Sequence, residues 1–185
     1  VLNHRVKNVL ATVIAMARQT VAKATDIPAE IAAFEARLTA MANAHDLLAE
    51  VDWQSADLVA VVEQATAPYP PERFTVSGPS VLLPQKAVAT LSLALHELGT
   101  NAAKFGALST PTGRVSIIWS YDPETSALSH RWQEKGGPTV AQPNKKGFGS
   151  RLVERLLAEE LNGTSAIIYD AAGVGCEMGA QLPRH

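Results

Sequence analysis

The stretch His96-Glu97-Leu98-Gly99-Thr100-Asn101-Ala102-Ala103-Lys104-Phe105-Gly106-Ala107-Leu108 closes an apolar helical run that begins near Lys86. Glu97, Asn101 and Lys104 are spaced four and three apart, so they share one helix face. Leu91, Leu95, Leu98, Ala102 and Phe105 follow the same alternation and define a stripe expected to be buried. At about 100° per residue, the polar face lies roughly 120° around the helix from that stripe. A carboxylate can polarise water or a proton donor, an amide oxygen is a hard ligand for Mg²⁺, and a lysine answers phosphate charge. The row therefore suits a site for Mg²⁺ and a triphosphate. The competing explanation is a solvated helix face carrying an i,i+4 pair.

A second group brackets a loop, from Trp132-Gln133-Glu134-Lys135-Gly136-Gly137-Pro138 to Gly147-Phe148-Gly149-Ser150. Gly136 and Gly137 permit backbone conformations and close approaches that other residues forbid. Gly147 and Gly149 stand just before a helix that starts at Ser150, where free N–H groups favour phosphate. Lys145 and Lys146 add positive charge. Glu134, at a strand end, can accept a hydrogen bond from an exocyclic amine such as that of adenine. An ordinary strand-to-helix loop also needs glycines. Two pairs flanking a ten-residue lid, downstream of the acid–amide–lysine helix, favour a nucleotide site.

The third group is Asn3-His4-Arg5-Val6-Lys7-Asn8. On a helix, His4, Lys7 and Asn8 share a face away from Leu2, Val6 and Leu10. An exposed imidazole flanked by cations can accept a phosphoryl group, although a solvated histidine near a helix start would look the same.

The elements that must position these groups fall into two parts. Residues 2–23 read as a helix, with a break at Thr25-Asp26-Ile27-Pro28. A second helix runs from about Ala29 to Glu50. Its Ile31, Phe34, Leu38, Met41, His45 and Leu48 form a short heptad seam. Two such helices make an antiparallel hairpin that completes its core by pairing with a second copy. Beyond Asp52-Trp53 the pattern becomes mixed. Ser55 is placed to cap a helix ending near Ala67, and Arg73–Ser77 reads as a strand. The long helix follows Pro84. Strands at Arg114–Tyr121 and Ala127–Glu134 form a hairpin. A helix over Ser150–Leu161 and strands at Thr164–Asp170 and Gly175–Leu182 finish the chain. The expected class is α+β, with a helical hairpin over residues 1–52 and an α/β sandwich over 53–185.

Composition sets the outer limits. The chain has 185 residues, 46% hydrophobic and 18% charged, enough to bury a core. The net charge is −2, no run of Lys or Arg points to nucleic acid, and aromatics are only 5%, too few for base-stacking platforms. Nothing in the charge balance calls for a membrane surface, and no stretch approaches the ~18 apolar residues of a spanning helix. The single cysteine, Cys176, excludes an internal disulfide and a Cys-based zinc site, and fits a buried strand position in a reducing compartment, the cytoplasm. The chain starts without Met on a helix already under way, so we expect a further N-terminal part.

Together, the Asn3–Asn8 group, His96 through Leu108, Trp132-Gln133-Glu134 and Gly147-Phe148-Gly149-Ser150-Arg151-Leu152 resemble the HWE-type sensor histidine kinases of bacteria. That family is named for a histidine in the Asn-containing box and a Trp-x-Glu in the first glycine box, here His96, Trp132 and Glu134. The resemblance covers essentially the whole chain, in order and spacing. It implies a dimerisation and histidine-phosphotransfer hairpin, making a homodimer, followed by a Bergerat-type ATP-binding domain. It also implies His4 as phosphoacceptor, Asn101 as the holder of Mg²⁺, Glu97 and Lys104 serving the phosphates and attacking group, and Glu134 reading adenine. The glycine boxes, with Gly136, Gly137, Lys146, Gly147, Gly149 and Ser150, would hold ATP. The implied partner is a response-regulator receiver domain.

Two positions depart from the pattern. Gly99 stands where alanine is more usual, at a helix cost of roughly 1 kcal/mol. Arg5 follows the phosphoacceptor where many histidine kinases carry an acid, which leaves the general base open. Glu97 could serve only if the two parts close. His96 lies off the Glu97 face and reads as a structural or hydrogen-bonding residue. His45 reads as packing, and His130 and His185 carry no signal. The rivals are an ATP-independent phosphotransfer scaffold of the same fold and a Bergerat ATPase of another kind.

Overall fold

The computed structural model describes Val13, Ile14, Ala17 and residues 27–50, 54–143 and 147–183. His4, Lys145, Lys146, Trp53, His185 and most of the helix expected over 2–23 lie outside the described residues.

Helix α1 spans Ile27–Glu50. Pro28 stands in its first turn, where a missing N–H costs nothing. Its apolar positions do not all behave as a seam for a second copy. Met41, Ala44 and Leu48 are buried in the same core as the rest of the chain, with Phe34 and Leu38 packed against it. Ile31, nearer the N-terminus, is 50% exposed. The inner end of α1 thus completes the core of the α/β part.

The next residues correct the expected cap. Ser55–Asp57 forms a short strand, β1, rather than a helix start. It pairs antiparallel with β3, Leu82–Pro84, a strand too short to be read from the sequence. The cap is Asp57, whose Oδ1 accepts from the Val59 N–H at 2.7 Å, opening α2 over Leu58–Thr66. A pairing across some 27 positions is invisible to local propensity. A 3₁₀ turn at Pro71–Arg73 leads into β2, Phe74–Ser77.

Helix α3, Gln85–Lys104, packs against both α1 and α2. Leu91, Leu95, Leu98 and Ala102 are buried as the stripe requires, but Phe105 is 73% exposed. The helix ends at Lys104, and Phe105 takes the C-cap with its N–H turned back to the Asn101 carbonyl at 2.8 Å. Once the 3.6-residue period stops, position 105 no longer belongs to the stripe.

The hairpin strands β4, Arg114–Asp122, and β5, Ala127–Lys135, stand in a five-stranded sheet with β6, Thr164–Asp170, and β7, Gly173–Gln181, in the order β2-β4-β5-β7-β6. Only β2–β4 is parallel. One sheet face is buried, as period-two alternation demands: Val115, Ile117 and Trp119 on β4, Leu128, His130, Trp132 and Glu134 on β5. A helical segment, α4 (residues 148–160), opens as an α-turn over Phe148–Arg151. It widens into a π-turn at Leu152–Leu156 and closes α-helically over Leu157–Glu160. Cys176 is buried in β7, and burial pushes its thiol up to about 12, so it stays protonated.

Candidate active site

The site is organised by the end of β5. Trp132 and Glu134 are two residues apart, so they share the buried face, and the Trp132 indole N–H donates to Glu134 Oε1 at 3.3 Å. The Ala107 backbone N–H donates to Oε2 at 2.8 Å. Burial raises the Glu134 pKa, and these two donors partly oppose the rise. A carboxylate in this setting keeps further lone pairs for another donor.

The segment that supplies the Ala107 N–H is itself clamped. The Arg73 guanidinium donates to the carbonyls of Gly113 at 2.6 Å, Thr110 at 2.5 Å and Ala107 at 3.2 Å. Gly136 has φ +73°, a region that favours glycine, and the next residue packs directly on Ala107. A Cβ on Gly137 would stand 2.8 Å from the Ala107 backbone. This glycine pair therefore shapes the support for Glu134.

Glu134 and Gly106 line a cavity of about 560 Å³. One wall comes from α3, through Glu97, Leu98, Asn101 and the exposed Phe105, with Arg37 reaching in from α1. The loop residues Thr139, Val140, Ala141 and Pro143 also line the cavity. Gly147, Gly149 and Ser150 bring the start of α4, and Tyr169 and Val174 complete the lining. A Cβ on Gly149 would lie 2.6 Å from Glu97 Oε2, so this glycine lets α4 start directly against that carboxylate.

Of the residues singled out from the sequence, Glu97, Asn101, Glu134, Gly147, Gly149 and Ser150 meet at this cavity. Lys104 is exposed in the last turn of α3 and is not part of the wall. Gly136 and Gly137 stand behind it. His4 and Lys146 lie outside the described residues.

Sequence reasoning missed Arg37. Its Nε donates to Glu97 Oε1 at 2.7 Å and its second arm to Oε2 at 3.3 Å, across 60 positions of sequence. A single arginine beside the α1 seam gives no local signal. Arg73 was equally silent. The Trp132–Glu134 bond had one: the i,i+2 spacing on a strand.

His96 is half-buried and turned away from the nucleotide-sized cavity. It faces a small pocket between α1, α2 and α3, lined also by Ala40, Asn43 and Gln64. Burial is the main cause that lowers its pKa. The Glu97 charge opposes this, while Arg37 and Lys104 reinforce it. This neutral imidazole fits a structural role. Gly99 has a packing reason: a Cβ there would stand 2.9 Å from Tyr69 Oη and 3.0 Å from its ring.

Among the described residues no group of three or more His, Cys, Asp or Glu could hold a metal ion, and no helix is long and apolar enough to cross a membrane. The cavity lining does hold oxygen donors of the kind that suits Mg²⁺, the Asn101 amide and the Glu97 carboxylate.

A mixed sheet under helices, with a nucleotide-sized cavity between α3, a glycine-bearing loop and the start of α4, defines the Bergerat-type fold of histidine-kinase ATP-binding domains. Solved structures agree at the level of fold. A blue-light-activated histidine kinase of Erythrobacter litoralis aligns over 97% of this chain and 57% of its own, with a TM-score of 0.68 and 20% identity. The histidine kinase domain of that protein aligns over 91% of this chain and 96% of its own, with a TM-score of 0.61 and 18% identity. Residues 2–80 match the HWE histidine kinase family. A blue-light-activated histidine kinase of Brucella ovis is 38% identical over 184 residues, covering 97% of this chain. Residues 2–80 thus belong to the HWE histidine kinase family, and the similarity to a histidine kinase continues along the rest of the chain. The chain spans 38% of the length of that relative.

Proposed function

We propose that this chain is the catalytic core of a sensor histidine kinase that uses ATP to phosphorylate His4. The phosphoryl group then passes to an aspartate of a response-regulator receiver domain. One observation carries the reading: Glu97, Asn101, Glu134, Gly147, Gly149 and Ser150, drawn from three separate segments, converge on a single cavity. Residues 1–52 present the phosphoacceptor and residues 53–185 hold the nucleotide. Glu134 accepts from the adenine amine. Gly147, Gly149 and Ser150 offer backbone and hydroxyl groups to phosphate, with Lys146 and Lys104 as outlying cations. Asn101 would hold Mg²⁺, which neutralises charge on the phosphate oxygens.

An imidazole nitrogen of His4 attacks the γ-phosphorus in line, the bond to the β–γ bridging oxygen breaks, and ADP leaves. Little covalent help is required of the protein; position and charge do the work. The Glu97 carboxylate accepts from Arg37, so it serves as base for His4 only after the two parts rearrange. A homodimer forms through the helical hairpin, with the exposed Ile31 end of α1 as the described part of that contact. The reaction belongs to the cytoplasm.

Incubation with γ-labelled ATP and Mg²⁺, then mapping of the labelled residue, tests the reading. Acid-labile, base-stable label on His4, absent from His4→Ala with ATP affinity retained, is the expected result. Label remaining on His4→Ala removes His4 from the mechanism. Failure to bind nucleotide in calorimetry leaves a phosphotransfer scaffold.

A further inference from the structure

We propose that Arg37 is a nucleotide-phosphate ligand lent to the ATP cavity by helix α1, held ready by Glu97 until nucleotide enters. The inference rests on the reading of the cavity as an ATP site.

Among the described residues that line the cavity, Arg37 is the only cation, while Glu97 and Glu134 are both carboxylates. From the described lining, a triphosphate entering this space meets two carboxylates and one guanidinium. The guanidinium is already within the wall. Its side chain is 14% exposed and that of Glu97 is 9% exposed, so their interaction is only weakly screened by solvent.

The pairing is also uneven. The Nε–Oε1 arm is 2.7 Å and the other arm 3.3 Å. The planar fork of arginine fits phosphate as well as carboxylate. A polyphosphate carries more charge than one carboxylate, so it competes for the guanidinium at the same spot. Glu97 in turn lies against Gly149, at the start of α4. Transfer of Arg37 to phosphate therefore frees the Glu97 carboxylate inside the site, and makes nucleotide occupancy felt by α1. Lys104, on the Glu97 face of α3, is exposed and stands outside the wall.

The test compares a non-hydrolysable ATP analogue with Mg²⁺, titrated by calorimetry, with adenosine, titrated by NMR. Wild type, Arg37→Gln, Arg37→Lys and Glu97→Gln are measured, each with a thermal melt. Arg37→Gln should weaken the ATP analogue about tenfold or more, the scale of a lost charged hydrogen bond, and leave adenosine unchanged. Arg37→Lys, which keeps charge without the fork, should fall between. Glu97→Gln, which removes the carboxylate charge that competes with phosphate for the guanidinium, should tighten the analogue several-fold. Equal loss for both ligands, or analogue affinity in Arg37→Gln equal to wild type, overturns the proposal and leaves the pair a structural bridge. Should Arg37→Gln fail to fold, the Glu97→Gln measurement decides, and unchanged or weaker analogue binding there overturns it. Wild-type protein that binds neither ligand removes the ATP-site reading itself, and this inference with it. Wild-type binding that Arg37→Gln does not alter removes Arg37 alone.

Discussion

Gly149 lies against the side chain of Glu97: a methyl group at position 149 would stand 2.6 Å from Oε2 and 3.0 Å from Cβ of that residue. The second distance matters more. A carboxylate tip can swing aside, but a Cβ is fixed to its helix. Gly149→Ala should therefore push α4 away from α3 and break the alignment of Glu97 with Arg37. We expect a loss of about 1–3 kcal/mol in stability, the usual scale of overpacking, together with weaker ATP binding. Thermal melts and calorimetry on the variant measure both. Unchanged melting and unchanged affinity would show that α4 can shift without consequence.

Asn101→Ala separates function from folding. Asn101 is exposed on α3 and lines the cavity. Alanine is the better helix former by roughly 0.5 kcal/mol, so the melting temperature should hold or rise slightly. Mg²⁺-dependent ATP binding and autophosphorylation should be lost together, because a methyl group cannot replace an amide oxygen as a hard ligand. An active variant would assign the cation to other groups.

Leu48 tests what the α1 seam is for. It is fully buried in the same cluster as Leu58, Val61 and Leu91. Leu48→Ala should destabilise the chain by about 2–5 kcal/mol, the cost of a large-to-small change in a packed core. Denaturant unfolding would read the effect as a lower midpoint that does not depend on protein concentration. A midpoint that moves with concentration would return Leu48 to an interface between copies.

His130 makes the fold sensitive to acid. It is 3% exposed, stacks on Trp119 at 6.4 Å between ring centroids, and its Nε2 has no hydrogen-bond partner among the described residues. Burial pushes its pKa down to about 4. The unfolded chain takes up this proton near pH 6.5 and the folded chain only near pH 4. Stability is thus complete above pH 6.5 and declines as pH falls through that window, by at most about 3 kcal/mol. The lowered His96 pKa acts in the same direction and the raised Glu134 pKa in the opposite one. The difference between wild type and His130→Leu isolates this residue. Chemical denaturation from pH 7.5 to 4.5 should show a shallower decline in the variant; parallel curves would exclude His130 as the source.

The sequence by itself determined whatever a single element repeats or caps. The α3 stripe through Leu91, Leu95, Leu98 and Ala102 is a 3.6-residue period, and the β4–β5 hairpin is a period of two; both are local rules of backbone geometry. Glu97 with Asn101, and Trp132 with Glu134, share faces for the same reason. Gly147 was legible as a break before a helix, although that helix starts at Phe148 and takes in Gly149, two residues ahead of the expected Ser150.

Tertiary structure decided the rest. Phe105 left the stripe because the helix ended one residue earlier. Ser55 gave up its cap to a strand whose partner lies at Pro84. Met41 and Leu48, legible as a seam, turned inward because α3 offered apolar surface within the same chain. Arg37 met Glu97 across 60 positions, and Arg73 clamped the loop that steadies Glu134. A hydrogen bond between distant segments leaves no period in either one. Which partner each polar group takes is fixed only when burial removes water as the alternative.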